Sequence, residues 1–524
     1  MATFNIAGML IPEVYNHPVD HIELIETHIS WVFLTGKFAY KIKKPVNFGF
    51  LDFSTLEKRQ ACCISEVLLN RRLAPELYLE VVSISGTGDK PVINGKGIPI
   101  EYAVKMLQFP QSAQLDNMLA AGELKAEHMD EIARMIARFH QAIEIADNTM
   151  EFGNSKAVYQ PVAENFMQIS EHLDTGPYEN ILHKLQSWSK AAFVKQEPVF
   201  TRRKQDGFIR ECHGDMHLRN MLWLETDSNS GPIAFDCIEF NPQLRWIDVI
   251  SEVAFLLMDL QDRQQHQLAN RFLNTYLETT GDYPGLSILP FYLCYRALVR
   301  AKVSALRLEQ ANISAEEREK TLSEFESYLE LATLYTQPTS PKLIIMSGLS
   351  ASGKSTVSQQ LLETLGAIRI RSDVERKRLF GIKPEELAIE DKGAEEINSG
   401  IYSATASQKT YNKLAELAST IISAGYSVII DAAFLKHEQR KPFQQLAKDL
   451  AVAYIILEIT APAEILRQRI KARKNDVSDA DLTVLEHQLI NWQPLHASEI
   501  NSLVTVNTTE AIDIDTLKDQ LNAI

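Results

Sequence analysis

The stretch Gly348-Leu349-Ser350-Ala351-Ser352-Gly353-Lys354-Ser355 sets two glycines, a lysine and a hydroxyl at the spacing GxxxxGK[ST]. Glycines there let the backbone curl until successive amide N–H groups converge on phosphate oxygens. An apolar run, Leu343 to Met346, precedes the loop, and a helical pattern begins at Thr356. The loop therefore opens a helix, whose N-terminal partial charge favours anions. The spacing predicts a nucleotide-phosphate cradle from Gly348 to Thr356, with Ser350, Ala351, Ser352 and Gly353 in its bend. Lys354 should reach the β- and γ-phosphates, and Ser355 should ligate Mg²⁺. A ligand-free Gly/Ser turn is the competing reading, and it leaves the strand and helix unexplained. Asp431 closes the apolar run Ser427 to Ile430. A carboxylate at the C-terminal edge of a parallel strand can hold Mg²⁺, directly or through water; a helix N-cap is its rival role.

A second constellation is His213-Gly214-Asp215-Met216-His217-Leu218-Arg219-Asn220. Its Asp-to-Asn spacing is that of a kinase catalytic loop, with Gly214 where an arginine is usual. Asp215 must meet an acceptor hydroxyl, while Asn220 turns back toward a metal on the ATP phosphates. The strand-like Ile233-Ala234-Phe235 ends in Asp236, which supplies the second metal ligand, with Glu239 close by. Lys41, in the alternating strand Ala39 to Lys43, and Glu66, in a helical run, form the expected phosphate-holding pair. Lys37, Lys43 and Lys44 surround Lys41, so a surface role competes. Glu101–Leu107 reads as the strand that takes the adenine. His213 and His217 read as structural, since no third ligand has zinc-like spacing. The HGDxHxxN pattern resembles the aminoglycoside phosphotransferase and choline-kinase-like group, and that resemblance spans about residues 20–335. It implies that Asp248 braces the catalytic loop. No GxGxxG is present, and the turn near Thr27–Ser30 would have to cover the phosphates.

Arg371-Ser372-Asp373-Val374-Glu375-Arg376 follows the run Ala367–Ile370. It resembles small P-loop kinases of the gluconate-kinase-like, polynucleotide-kinase-like and zeta-toxin-like kinds. The resemblance implies that Asp373 orients or deprotonates an acceptor hydroxyl and that Arg376 binds substrate; capping is the rival role for Asp373. Leu466 to Arg473, followed by Ser478-Asp479-Ala480 and Gln488, resembles the lid of the same kinases. That singles out Arg469 for substrate and Arg473 for charge on the transferring group, against a plain solvated basic face. Arg440 is a weaker substrate candidate.

These groups need scaffolds. Before the polar, proline-bearing stretch Thr336 to Pro341, the chain begins β-rich and becomes helical beyond about Leu115. After it, strand and helix signals alternate, which predicts a parallel five-stranded sheet covered on both faces. The expected architecture is an α+β bilobal protein-kinase-like domain over residues 1–335, a linker at 336–341, and an α/β P-loop NTPase domain over 342–524. With both parts in one chain, the sequence resembles the bacterial bifunctional aminoglycoside phosphotransferase/ATP-binding protein family.

The 524 residues carry a net charge of −15, which argues against general nucleic-acid binding. The five cysteines form no CxxC pair, consistent with a reducing cytoplasm. No signal peptide or membrane span is evident. The expected activity is transfer of the ATP γ-phosphoryl group to a small-molecule hydroxyl, with ATP and Mg²⁺ in both domains. Two alternatives stand beside it: a regulatory pseudokinase domain governing the other, and action on a nucleic-acid end. Nothing in the sequence identifies a site for a polycationic sugar.

Overall fold

A computed structural model describes residues 4–49, 51–173, 175–225, 230–310, 313–382, 401, 403–472 and 482–524. They form two compact units: Met1–Thr175 with Lys190–Asp259, and Gly176–Ser189 with Leu260–Ile524.

The first unit opens with six strands: β1 (Glu23–Glu26), β2 (Ser30–Leu34), β3 (Phe38–Lys43), β4 (Tyr78–Thr87), β5 (Lys90–Ile93) and β6 (Glu101–Leu107). They pair antiparallel in the order β1-β2-β3-β6-β4-β5. The turn at Thr35–Lys37 joins β2 to β3, in register Val32↔Lys41. Alternation along β3 decides what each face carries. Tyr40 and Ile42 enter one core with Phe33, Val82 and Ile84. Ala39 faces the other way, into a core with Val104, Met106 and helix α1 (Leu56–Asn70), which contributes Cys63 and Val67. Lys41 and Lys43 share Ala39's side, so both point at α1. Thr55 caps α1 by accepting from the Lys58 amide at 3.3 Å.

A helical part follows: α2 (Leu115–Ala120), α3 (Ala126–Ala142), α4 (Ser155–His172) and α5 (Glu179–Gln205), of which the residues from Lys190 on belong to this unit. Four short strands come next, β7 (Ile209–Glu211), β8 (Met221–Glu225), β9 (Ser230–Ala234) and β10 (Trp246–Asp248), then α6 (Val249–Asp262). They pair as the two-stranded ribbons β7/β10 and β8/β9. A small sheet lobe and a helical lobe make this a protein-kinase-like fold.

The second unit holds α7 (His266–Thr280), α8 (Leu289–Leu308), α9 (Ala315–Leu334) and a five-stranded sheet. Its strands are β11 (Lys342–Ser347), β12 (Ile368–Arg371), β13 (Val428–Asp431), β14 (Ala453–Thr460) and β15 (Leu503–Asn507), all parallel, in the order β12-β13-β11-β14-β15. Helices α10 (Lys354–Leu365), α11 (Ser372–Leu379), α12 (Ala404–Ser423), α13 (His437–Asp449), α14 (Ala463–Ala472), α15 (Leu482–Asn491) and α16 (Ile514–Asn522) connect or flank them. Ile344, Met346, Ile429, Ile455 and Leu457 pack with Val357 and Leu361 of α10. A strand buried on both faces must read as an unbroken apolar run, which is why these were visible in sequence. Residues 336–341 lie between α9 and β11, inside this unit. Among the described residues no helix is long and apolar enough to cross a membrane.

Candidate active sites

In the first unit, Lys41 donates to Glu66 at 2.8 Å and also to Asp236. Lys43, two residues on and on the same strand face, donates to Glu66 at 2.7 Å and also to Glu239. One carboxylate thus carries two ammonium groups. Burial alone would raise the Glu66 pKa, but the charges of Lys41 and Lys43 outweigh it and bring it down to about 2. Burial disfavours the charge on Lys41; Asp236, Glu66 and Glu239 more than offset it and lift its pKa. Burial raises the Glu239 pKa, Lys43 opposes, and the Glu66 charge adds to the rise. Asp236 has a positive φ of 63°, and its amide donates to the Tyr78 hydroxyl at 3.1 Å. A left-handed backbone at a non-glycine residue costs free energy and persists only where surrounding contacts impose it. Asn70 ties this segment to α1: its amide nitrogen donates to the Glu66 carbonyl at 2.8 Å, and its oxygen accepts from the Cys237 amide at 2.9 Å.

Asp215 and Asn220 of the HGDxHxxN stretch lie together. The Asn220 amide donates to Asp215 Oδ2 at 2.9 Å and to the Asp215 carbonyl at 3.0 Å. His217 Nε2 lies 3.5 Å from the same Oδ2. His213 Nδ1 accepts from the Asp215 amide at 3.3 Å, which leaves the proton on Nε2, 2.9 Å from the Phe235 carbonyl. Burial keeps this ring neutral by lowering its pKa. Gly214 explains the departure from arginine. Its φ is +89°, and a Cβ there would lie 2.7 Å from the Leu244 carbonyl oxygen.

Asp248 does not brace this loop. It forms a two-pronged ion pair with Arg203 at 2.8 and 2.9 Å and accepts from the Ile250 amide. Glu252, one turn into α6, does the bracing: its Oε1 accepts from the His213 and Gly214 amides, both at 2.7 Å. Its Oε2 meets His140 Nε2 at 2.8 Å. The signal for it was a lone carboxylate among Val249, Ile250, Val253 and Ala254, on the buried face of an apolar helix.

In the second unit the loop from Gly348 leads into α10, which begins at Lys354. Gly348 has a φ of +153°, and a Cβ there would fall 2.5 Å from the Ile459 carbonyl oxygen. Ala351 is also left-handed, at 63°. Lys354 Nζ folds back onto the Gly348 and Leu349 carbonyls at 3.0 and 2.9 Å. Ser355 and Thr356 are exposed on the first turn. Asp431 stands at the tip of β13, nearly buried, and accepts from Ser358 Oγ at 3.2 Å. No helix starts there, which removes the N-cap alternative. Asp373 sits in the first turn of α11 with Arg376 at 3.8 Å; Arg371, not Asp373, occupies the N-cap position.

Other candidates fall elsewhere. Arg469 lies against the phosphate-binding loop, donating to the Ala351 and Ser352 carbonyls at 3.3 and 3.4 Å and to Thr508. Gln488, on α15, accepts from the Ser350 amide at 2.8 Å. Arg440 corrects its sequence reading as a substrate contact. It is fully buried, grips Glu499 through Nε and Nη2 at 2.8 and 3.1 Å, and donates to the Phe434 carbonyl at 3.0 Å. No face of that guanidinium is left for an acceptor. Arg473 and the Ser478–Ala480 stretch lie outside the described residues. Ser358 was missed because a serine one turn inside a helix is common without a role.

Both sites suit magnesium by donor chemistry. Asn220 with Asp236, and Ser355 with Asp431, offer only oxygen donors of the kind a hard divalent cation takes.

A protein-kinase-like fold and a P-loop domain are thus joined in one chain. The AAA domain family model AAA_33 matches residues 343–495. The chain belongs to the family of the uncharacterized protein Rv2004c of Mycobacterium tuberculosis. The two are 30% identical over 488 residues, covering 92% of this chain and 93% of that protein. Among solved structures, it is similar to a choline kinase from Cryptosporidium parvum Iowa II at 12% identity and a TM-score of 0.40, over 63% of this chain and 94% of that one. It is also similar to a gluconokinase from Sinorhizobium meliloti 1021 at 17% identity and a TM-score of 0.25, over 35% of this chain and 91% of that one.

Proposed function

We propose that the chain is an ATP-dependent phosphotransferase of the bifunctional aminoglycoside phosphotransferase/ATP-binding kind. Residues 1–335 form its kinase-like domain, 336–341 the joint, and 342–524 its P-loop kinase-like domain. Both domains bind Mg·ATP, and at least one moves the γ-phosphoryl group to a hydroxyl of a small molecule. The observation that carries this reading is the Lys41 ammonium lying between Glu66 and Asp236, in the same unit as the Asp215–Asn220 pair.

The roles proposed for the residues are those their types and places in the two motifs suggest. Asp215 takes the acceptor proton as the hydroxyl oxygen bonds to phosphorus and the bond to ADP breaks. Asn220 holds that carboxylate in place. Lys41 neutralises phosphate charge, and Glu66 fixes Lys41. In the second domain Lys354 neutralises phosphate charge, while Asp373 orients the acceptor and Arg376 binds it. Asn220 with Asp236, and Ser355 with Asp431, would hold Mg²⁺, which would supply further neutralisation of phosphate charge.

The test is ATP-dependent phosphorylation of a metabolite and nucleoside library by the full chain and by Asp215→Ala and Lys354→Ala. Each substitution should cut turnover of its own acceptor by about 10²–10⁴-fold. Turnover untouched by Asp215→Ala would instead make the first domain a regulator of the second. Salt-weakened binding of oligonucleotide ends would redirect the second domain to nucleic acid.

A further inference from the structure

Strand β12 is the edge of the parallel sheet, and helix α7, from well before the P-loop in sequence, lies along it. Asn274 acts toward this edge as a neighbouring strand would. Its amide nitrogen donates to the Ala367 carbonyl at 3.0 Å, and its oxygen accepts from the Arg369 amide at 2.7 Å. Glu278 is four residues on, hence on the same face of α7. Its carboxylate spans two arginines of β12: Oε1 is 3.4 Å from Arg371 Nη1 and Oε2 is 3.6 Å from Arg369 Nη2.

Arg371 is the last residue of β12, in register beside Asp431 at the tip of β13. It is also two residues before Asp373. Its side chain is 17% exposed. Burial works against its charge, but Glu278, Asp431 and Asp373 together more than compensate. Those three carboxylates therefore lie within electrostatic range of one guanidinium at the C-terminal edge of the sheet, where ligands bind in folds of this kind. Without Glu278, that side chain would keep a mobile stem and only the two carboxylates of the site itself.

We infer that Arg371 is the cation of the P-loop site that meets the transferring phosphoryl group, and that Glu278 of α7 is the residue that positions it. This rests on the P-loop kinase reading above. A planar guanidinium held on one side by a carboxylate is preorganised to meet charge that grows during transfer.

The test uses the full chain carrying Asp236→Asn, which removes a metal ligand of the first site. Calorimetry measures Mg·ADP affinity with and without aluminium fluoride, which stands in for the transferring phosphoryl group. Glu278→Gln and Arg371→Met should each lower the fluoride enhancement about tenfold or more, as expected for a lost transition-state contact. Affinity for Mg·ADP alone should stay within about twofold, and Glu278→Asp should recover part of the enhancement. If Glu278→Gln fails to melt cooperatively, Arg371→Lys, which keeps a charge for Glu278, carries the same test. An undiminished enhancement, or an equal loss with and without fluoride, overturns the proposal. A parent protein with no Mg·ADP affinity sensitive to Lys354→Ala overturns the nucleotide-site reading instead.

Discussion

Glu66 carries two lysines on one carboxylate, and its ionisation is tied to the folded state. Its folded pKa lies below the value of 4.5 it would have in an open chain, at about 2. The stabilisation it brings is therefore complete above that open-chain value and is lost as pH falls toward the folded one. Urea unfolding of Glu66→Gln should show a shallower loss of stability between about pH 5 and 3 than the parent shows. Identical slopes would mean that the two lysines do not hold this carboxylate ionised. Lys41 and Glu66 were readable because a kinase site needs that pair at that separation. Lys43 was not, since nothing in the sequence says that a second lysine on the same strand face is buried, and Glu239 was read only as a neighbour of Asp236.

At the level of elements, Gly214 is a position sensitive to change. A methyl group there meets the Leu244 carbonyl at 2.7 Å and a backbone that L-residues rarely adopt. Gly214→Ala should cost about 2–3 kcal/mol in urea unfolding. It should also lower turnover by the first domain, because the amide of residue 214 hangs from Glu252. Unchanged stability would show that the Leu244 segment yields easily. Part of the first sheet and the five strands of the second were legible. Alternation marked Ala39 to Lys43, Glu101–Leu107 read as a strand, and apolar runs alternating with helical patterns gave the parallel sheet, while β1, β4 and β5 were not read. What escaped are contacts between elements distant in sequence. Glu252 reaches back 39 residues to His213, and Arg440 reaches forward 59 to Glu499. A lone charged residue announces burial only when its neighbours are apolar, as for Glu252. Arg440 sits among Gln439 and Lys441, so it looked like one more surface cation.

On the scale of the whole molecule, the polar stretch at residues 336–341 is not where packing stops. Helix α7 precedes it and lies with the P-loop sheet in one compact unit. A chain beginning at Lys342 keeps the phosphate-binding loop but loses Asn274 and Glu278. Its β12 then offers unpaired amide and carbonyl groups to any other strand. Such a chain should self-associate with rising concentration in sedimentation velocity more strongly than the full chain. A monodisperse fragment would mean that Asn274 is dispensable as a cover.

The order of that cover and its sheet along the polypeptide has a consequence during synthesis. Helix α7 leaves the ribosome 95 residues ahead of the strand edge it protects, on the separation of Asn274 and Arg369. Chains fold largely in the direction they emerge. The guard is therefore already made when β12 appears, and the nascent sheet meets its own helix before it can meet another chain.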